Sequence, residues 1–376
     1  MTVRMLLRQV KLENLLSFRN TEVELRGLNV LIGANASGKS NLIEAIGLLQ
    51  AAPVDLRTAI LRLGGVRVVC SLATASPDAA IECSGINDEP LQYRLEFSEE
   101  AHGFFIMREH LSGTENGSDT TYFQRAAGSV YFGTRPADIS AAESVFQRSK
   151  SPADTTPITR VGRQLEAIQI YREFRTAGDS QARIGTSTSM RKESLRDGGG
   201  NLALVLLDMD FKGLRERVRA YLCRFYDRFE DVKVRLDGPI AKTFIKESGL
   251  LEPLPSVRLS DGTLKVLCLL AVLLEAELPP LICIEEPEVG LHPDAIQIVA
   301  EALVEASERT QLVVTTHSEA LIDALSDRPE DVLVTERDFD NGTQFRRLDK
   351  KQLSVWLERY SLGQLWRKGE LGGNRW

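Results

Sequence analysis

Leu28-Asn29-Val30-Leu31-Ile32-Gly33-Ala34-Asn35-Ala36-Ser37-Gly38-Lys39-Ser40-Asn41 is the stretch that decides the fold. Its first five residues hold four aliphatics, as a strand buried on both faces requires. Gly33 and Gly38 frame a loop whose backbone N–H groups can turn inward around phosphate oxygens, and the helix start beyond adds a favourable dipole. Leu42, Ile43, Ile46 and Leu49 then recur at helical spacing over residues 41–49. Strand, glycine loop and helix in this order predict a phosphate-binding loop, with Lys39 reaching the terminal phosphates and the Ser40 hydroxyl on Mg²⁺. An incidental glycine-rich turn is the alternative, and it leaves the flanking strand and helix without a reason.

Three further elements lie downstream. Leu281-Ile282-Cys283-Ile284 is a second buried-strand run that ends in Glu285-Glu286-Pro287. Open α/β sheets bind ligands at the carboxyl ends of their strands. Glu285 is therefore expected to hold the metal and Glu286 to orient and deprotonate a water. Two solvated acids at a strand end are the alternative. Leu259-Ser260-Asp261-Gly262-Thr263 precedes an apolar helix; Ser260 or Asp261 reads as an N-cap, and such a helix start is also an anion site. Thr315-Thr316-His317-Ser318 again ends an apolar strand, where His317 is either a capping residue or a hydrogen-bond donor to phosphate.

Composition narrows the class. The 376 residues are 43% hydrophobic and 26% charged, close to globular averages, and the net charge of −7 argues against a surface coated in positive charge. The five cysteines are scattered without a Cys-x-x-Cys pair, which argues against a zinc site or a disulfide framework and fits a reducing cytoplasm. No signal-peptide core is present near the start, and no apolar run is long enough to span a bilayer.

Three regions are expected. Residues 1–140 hold the glycine loop, strands near 6–12, 21–25 and 28–32, and short alternating segments at 66–72, 79–83, 91–97 and 104–108. Turn residues such as those at 112–120 separate these segments, which predicts an antiparallel sheet. Residues 141–235 form an inserted, partly helical lobe with 18 Lys plus Arg against 13 Asp plus Glu, a charge of +5 that leaves −12 for the remainder. A helix is expected over 202–226. Residues 236–376 alternate helix and strand, which predicts a mostly parallel sheet covered by helices.

Taken together, the loop at 33–40, Leu259 to Thr263, Glu285-Glu286-Pro287-Glu288, Gly290-Leu291-His292-Pro293 and Thr316-His317 resemble the ABC-class head of P-loop ATPases. More narrowly they resemble the heads of SMC, RecF and OLD-type proteins and a group of bacterial AAA or RecF-like ATPases. Residues 360–373 resemble the close of that group. The resemblance implies an α/β P-loop NTPase with an ABC-type head: a mostly parallel core sheet, an antiparallel β subdomain and an inserted lobe. It implies ATP and Mg²⁺ as ligands and two heads that sandwich two nucleotides as a homodimer. Gly33, Asn35, Ala36, Ser37, Gly38, Lys39, Ser40 and Asn41 would contact nucleotide, with Ser40 and Glu285 on the metal. Glu286 and His317 would be catalytic, Ser260 and Gly262 would complete the partner's site, and residues 289–292 would cross the interface. Arg19 sits where such heads place a base- or phosphate-contacting segment.

Three departures stand out. Glu285 replaces the aspartate usual in relatives, Asp261 replaces the more usual glycine, and no glutamine can be assigned to the family's Q-loop, for which Gln92 and Gln124 are the candidates. The interval from Lys39 to Ser260 is 221 positions, longer than in transporter subunits of the class. No coiled-coil arm and no nuclease domain is expected from this sequence. The leading expectation is an ATP-gated dimer in DNA repair, chromosome maintenance or phage defence. Lys212, Arg215, Arg217, Arg219, Arg224 and Arg228 either contact DNA phosphates or form local ion pairs. The other expectation is a nucleotide switch that controls an effector protein, a nuclease or another, without direct DNA binding. A membrane-transporter subunit is a distant third; no membrane partner is expected.

Overall fold

The computed structural model describes residues 5–70, 78–100, 103–115, 117–126, 128–148 and 154–373. Its core is the parallel part of a fourteen-stranded sheet, in the order Gln169–Tyr171, Leu281–Glu285, Gln311–Thr315, Leu28–Ile32 and Val332–Asp338. All five residues of Leu28–Ile32 are buried, which explains their unbroken apolar character. Beyond Val332–Asp338 the sheet turns antiparallel, through Gly342–Arg347, Phe18–Glu24, Gln9–Leu15 and Ala79–Ser84 to the long hairpin Leu91–Glu100, Gly103–Glu115 and Ser118–Ala126. A second, small antiparallel sheet is built on the hairpin Phe229–Asp237 and Ile240–Glu247.

The α/β fold with its ABC-type mixture of parallel and antiparallel strands is thus as the sequence implied. The details differ in three places. Residues 66–69 are a short helix, Val66–Val69, after Gly65 at φ 91°, and no strand; residues 71–72 of the expected segment lie outside the described residues. Strand pairing runs on to Glu115 and resumes at Ser118, so the polar residues at 112–120 mostly belong to strands, because one face of that hairpin meets solvent. The helix expected over 202–226 is broken in two, Leu202–Phe211 and Arg215–Leu222, at Gly213 with φ 75°.

The helix Asp261–Leu273 is apolar on nearly every side because it is enclosed: nine of its thirteen residues are buried. Part of the region expected as an insertion belongs to the head, since Gln169–Tyr171 adds to the parallel edge beside Leu281–Glu285. Among the described residues, no helix is long and apolar enough to cross a membrane.

Candidate functional site

Strand register explains why residues far apart in sequence meet. Leu31 lies opposite Thr315, and Thr315 opposite Glu285, so the glycine loop, Glu285-Glu286 and Thr316-His317 leave adjacent parallel strands at the same edge. The loop itself is fixed from below. Thr343 Oγ1 donates to the Ser37 carbonyl at 2.8 Å and meets Ser17 Oγ at 2.7 Å, while Asn41 Nδ2 donates to Ser17 Oγ at 2.7 Å. Gly38 has φ 105°, and a Cβ there would fall 2.2 Å from Thr343 Oγ1. Gly33 is as tightly placed, with a Cβ falling 2.4 Å from the Thr335 carbonyl. Only glycine fits either position.

Lys39 is 5% exposed, and its Nζ donates to the carbonyls of Gly33 and Ala34, each at 2.9 Å. Burial pulls its pKa down to about 8, against the raising effect of Glu286 and Glu288. Ser37 Oγ is buried in the cradle without a hydrogen-bond partner. Next to the loop, Glu285 stands beside Ser40 and accepts from Arg172 Nη1 at 3.0 Å. Burial raises its pKa, with Arg172 opposing. A buried glycine cradle with an unpartnered hydroxyl and a charged lysine suits phosphate; a hydroxyl beside a carboxylate suits Mg²⁺.

Glu286 adopts φ 43°, rare for a residue with a side chain, and its N–H donates to the Thr315 carbonyl at 3.0 Å. Its Oε1 lies 3.8 Å from His317 Nε2, near but beyond hydrogen-bond distance. Burial, with Lys39 adding, lowers the His317 pKa below 6.5, which keeps the ring neutral at physiological pH. Glu288 then ties the histidine loop down: its Oε1 accepts from Thr316 Oγ1 at 2.7 Å and from the His317 N–H at 2.9 Å. The motif named Glu288, but no spacing in the sequence signals this tie.

Ser260 caps the helix Asp261–Leu273 by accepting from the Thr263 N–H at 3.1 Å. A Cβ on Gly262 would lie 3.2 Å from the Gly290 carbonyl, and Lys265 Nζ donates to the Val289 carbonyl at 2.7 Å. The residues expected at a partner interface, 260–262 and 289–292, therefore lie against each other. Arg183 shapes this corner: it donates to the Leu259 carbonyl at 2.7 Å and pairs with Asp261 at 2.5 Å. Nothing in the sequence distinguished Arg183 from its basic neighbours.

A cleft of about 810 Å³ opens on the other side of the loop, lined by Arg19, Asn35, Ala36, Glu336, Phe339 and Gly373 among others. Arg19 donates to the Asp340 carbonyl at 2.9 Å and lies over the Phe339 ring, 5.7 Å from its centroid. Gly373 donates to Glu336 Oε1 at 2.8 Å, so the closing stretch folds back onto this cleft. Gln92 and Gln124 lie far from it, in strands of the antiparallel hairpin.

A family profile described as "AAA domain, putative AbiEii toxin, Type IV TA system" matches residues 28–323. The chain belongs to this AAA-domain family. It is 27% identical over 369 residues to the Old nuclease of Escherichia phage P2, covering 86% of this chain and 58% of that protein. The chain thus spans little more than half of its relative. Among solved structures it resembles an SMC head bound to the C-winged helix domain of ScpA (TM-score 0.58, 13% identity, 92% of this chain and 99% of that one). It also resembles an SMC head with an extended coiled coil bound to the C-terminal domain of ScpA derived from Pyrococcus furiosus (TM-score 0.55, 12% identity, 95% and 99%). The fold is that of these SMC head domains.

Proposed function

We propose that this chain binds Mg²⁺·ATP at the 33–40 loop and hydrolyses it, as half of an ATP-gated homodimer. The convergence of Lys39, Ser40, Glu285, Glu286 and His317 at one edge of the parallel sheet carries this reading. Backbone N–H groups of residues 33–40 and Lys39 bind the phosphates. Ser40 and Glu285 hold Mg²⁺, which when bound neutralises charge on the phosphates. Glu286 accepts the proton of the attacking water, and neutral His317 donates a hydrogen bond to the terminal phosphate. Ser260 and Gly262 face a second copy, with residues 289–292 between the two heads. Residues 141–235, apart from Gln169–Tyr171 in the core sheet, act as a lobe that Arg183 links to this corner.

The cycle serves DNA repair, chromosome maintenance or phage defence, through a nuclease or another effector. The nuclease named among its relatives supports this. The basic helix is largely ion-paired: Arg215 pairs with Asp231, Arg217 with Glu305, Arg219 with Glu216 and Arg224 with Glu301, while Arg228 just beyond it is exposed. Lys212 is likewise held between Asp208 and Glu275. This observation favours the second reading, in which the nucleotide state controls an effector and the head itself leaves DNA alone. Turnover of ATP with and without DNA, across a salt series, separates the two. DNA-stimulated turnover with steeply salt-dependent binding supports direct contact; turnover indifferent to DNA supports the switch; no Mg²⁺-dependent turnover rejects both.

A further inference from the structure

No step of the cycle above uses Arg172. Tyr171 lies opposite Ile284 in the parallel pairing, so the next residue, Arg172, stands beside Glu285. Its Nη1 donates to Glu285 Oε1 at 3.0 Å and to Glu44 Oε1 at 2.6 Å, while Nη2 donates to Glu44 Oε2 at 3.0 Å. The fork thus grips Glu44 with both nitrogens and reaches Glu285 with one of them. Glu44 follows Ser40 by one helical turn, on the same face of Lys39–Ala51. Ser40 stands beside Glu285 and completes the ring.

We propose that Arg172 is a positioning residue: a tethered counter-ion of Glu285 that makes the site accept a divalent cation only together with nucleotide phosphates. The proposal rests on the assignment of Ser40 and Glu285 to the metal. Glu44 and Glu285 alone would place two carboxylates beside the Ser40 hydroxyl, a set of hard oxygen ligands that attracts a bare dication. The guanidinium, which stays charged at any working pH, cuts the charge of that set from −2 to −1. A metal ion bound to Glu285 also feels its repulsion at close range, and only further negative charge from phosphate oxygens offsets it. The fork on Glu44 holds the guanidinium in place while this happens. The reach of Glu285 to Arg172 gives the longer carboxylate side chain a use that an aspartate would not serve.

Mn²⁺ binding to the full chain, followed by the EPR signal of the free ion, reads this without turnover. In the absence of nucleotide, Arg172→Gln should bind Mn²⁺ roughly five- to tenfold more tightly than the wild type. Arg172→Lys, which keeps the charge, should stay near the wild type, and adding Glu285→Gln to Arg172→Gln should abolish the gain. With ADP present the difference should shrink to about twofold or less. Equal nucleotide-free affinities for wild type and Arg172→Gln, or a gain that survives Glu285→Gln, overturns the proposal. Failure of Glu285→Gln to weaken Mn²⁺ binding in the presence of ADP would instead remove the metal assignment beneath it. Should Arg172→Gln not fold, Glu44→Gln carries the test. Releasing the guanidinium wholly onto Glu285 should weaken Mn²⁺ binding with ADP several-fold, and an unchanged affinity overturns the proposal.

Discussion

Replacing Glu288 by alanine separates anchoring of the histidine loop from nucleotide binding. Glu288 is 9% exposed, and one of its oxygens accepts from both Thr316 Oγ1 and the His317 N–H. The alanine leaves two buried donors without an acceptor, at about 1–3 kcal/mol each. Removing a buried carboxylate recovers part of that, because its own desolvation no longer opposes folding. The net loss is therefore about 2–3 kcal/mol, or roughly 3–4 °C of melting temperature for a chain of this size. Glu288→Gln keeps a carbonyl acceptor in place and should lose less than half as much. The glycine cradle and Lys39 do not depend on Glu288 hydrogen bonds, so ATP affinity by titration calorimetry should stay within about threefold. Hydrolysis should fall at least tenfold, since His317 loses the tie that holds it beside Glu286. A Glu288→Ala protein that melts and turns over like the wild type would refute the tie. So would one that loses ATP binding as severely as hydrolysis.

Two other outcomes follow from the loop. Gly38→Ala forces a Cβ toward Thr343 Oγ1 in a left-handed backbone region. Its ATP affinity should drop by about tenfold or more, and unchanged affinity in a fluorescence titration would contradict the cradle. Lys39 has its pKa lowered to about 8, so it is partly neutral near that pH and charged below it. Triphosphate binding should restore the proton: above pH 8, calorimetry in buffers of different ionisation enthalpy should show proton uptake that vanishes below about pH 7. Lys39→Met should remove that uptake. The sign for folding is opposite in sense: the unfolded lysine keeps its proton up to about 10.5, so stability rises between pH 8 and 10.5 as the buried amine is discharged.

How much of this was legible in the sequence depends on whether the signal was local. Leu28–Ile32 announced itself with its boundaries intact, because a strand buried on both faces carries a local pattern. The phosphate loop was legible for the same reason. Glu285, Glu286 and His317 were legible as residues at strand ends, but their meeting depends on strand order, which no local pattern encodes. Val66–Val69 misled because its β-branched residues favour strands, while Gly64 and Gly65, both at positive φ, turn the chain into a helical turn. The helix at 202–226 read as continuous since one glycine is tolerated within a helical pattern. Arg172, Arg183 and Glu288 stayed hidden because a charged residue shows its purpose only through partners far along the chain. For Arg172 these are Glu44 and Glu285, 128 and 113 positions away. The basic helix was left open between DNA contact and local ion pairs, and three of its arginines pair instead with Asp231, Glu301 and Glu305, beyond the helix itself.

Glu286→Gln tests the central claim most directly. The glutamine keeps the shape at φ 43° and cannot take a proton from water. Gel filtration with Mg²⁺·ATP, alongside a phosphate-release assay, should show ATP bound at near wild-type affinity, turnover reduced at least a hundredfold, and a persistent dimer that wild type forms only transiently. Turnover at the wild-type rate, or a variant that binds ATP and remains a monomer at every concentration, would contradict an ATP-gated composite site.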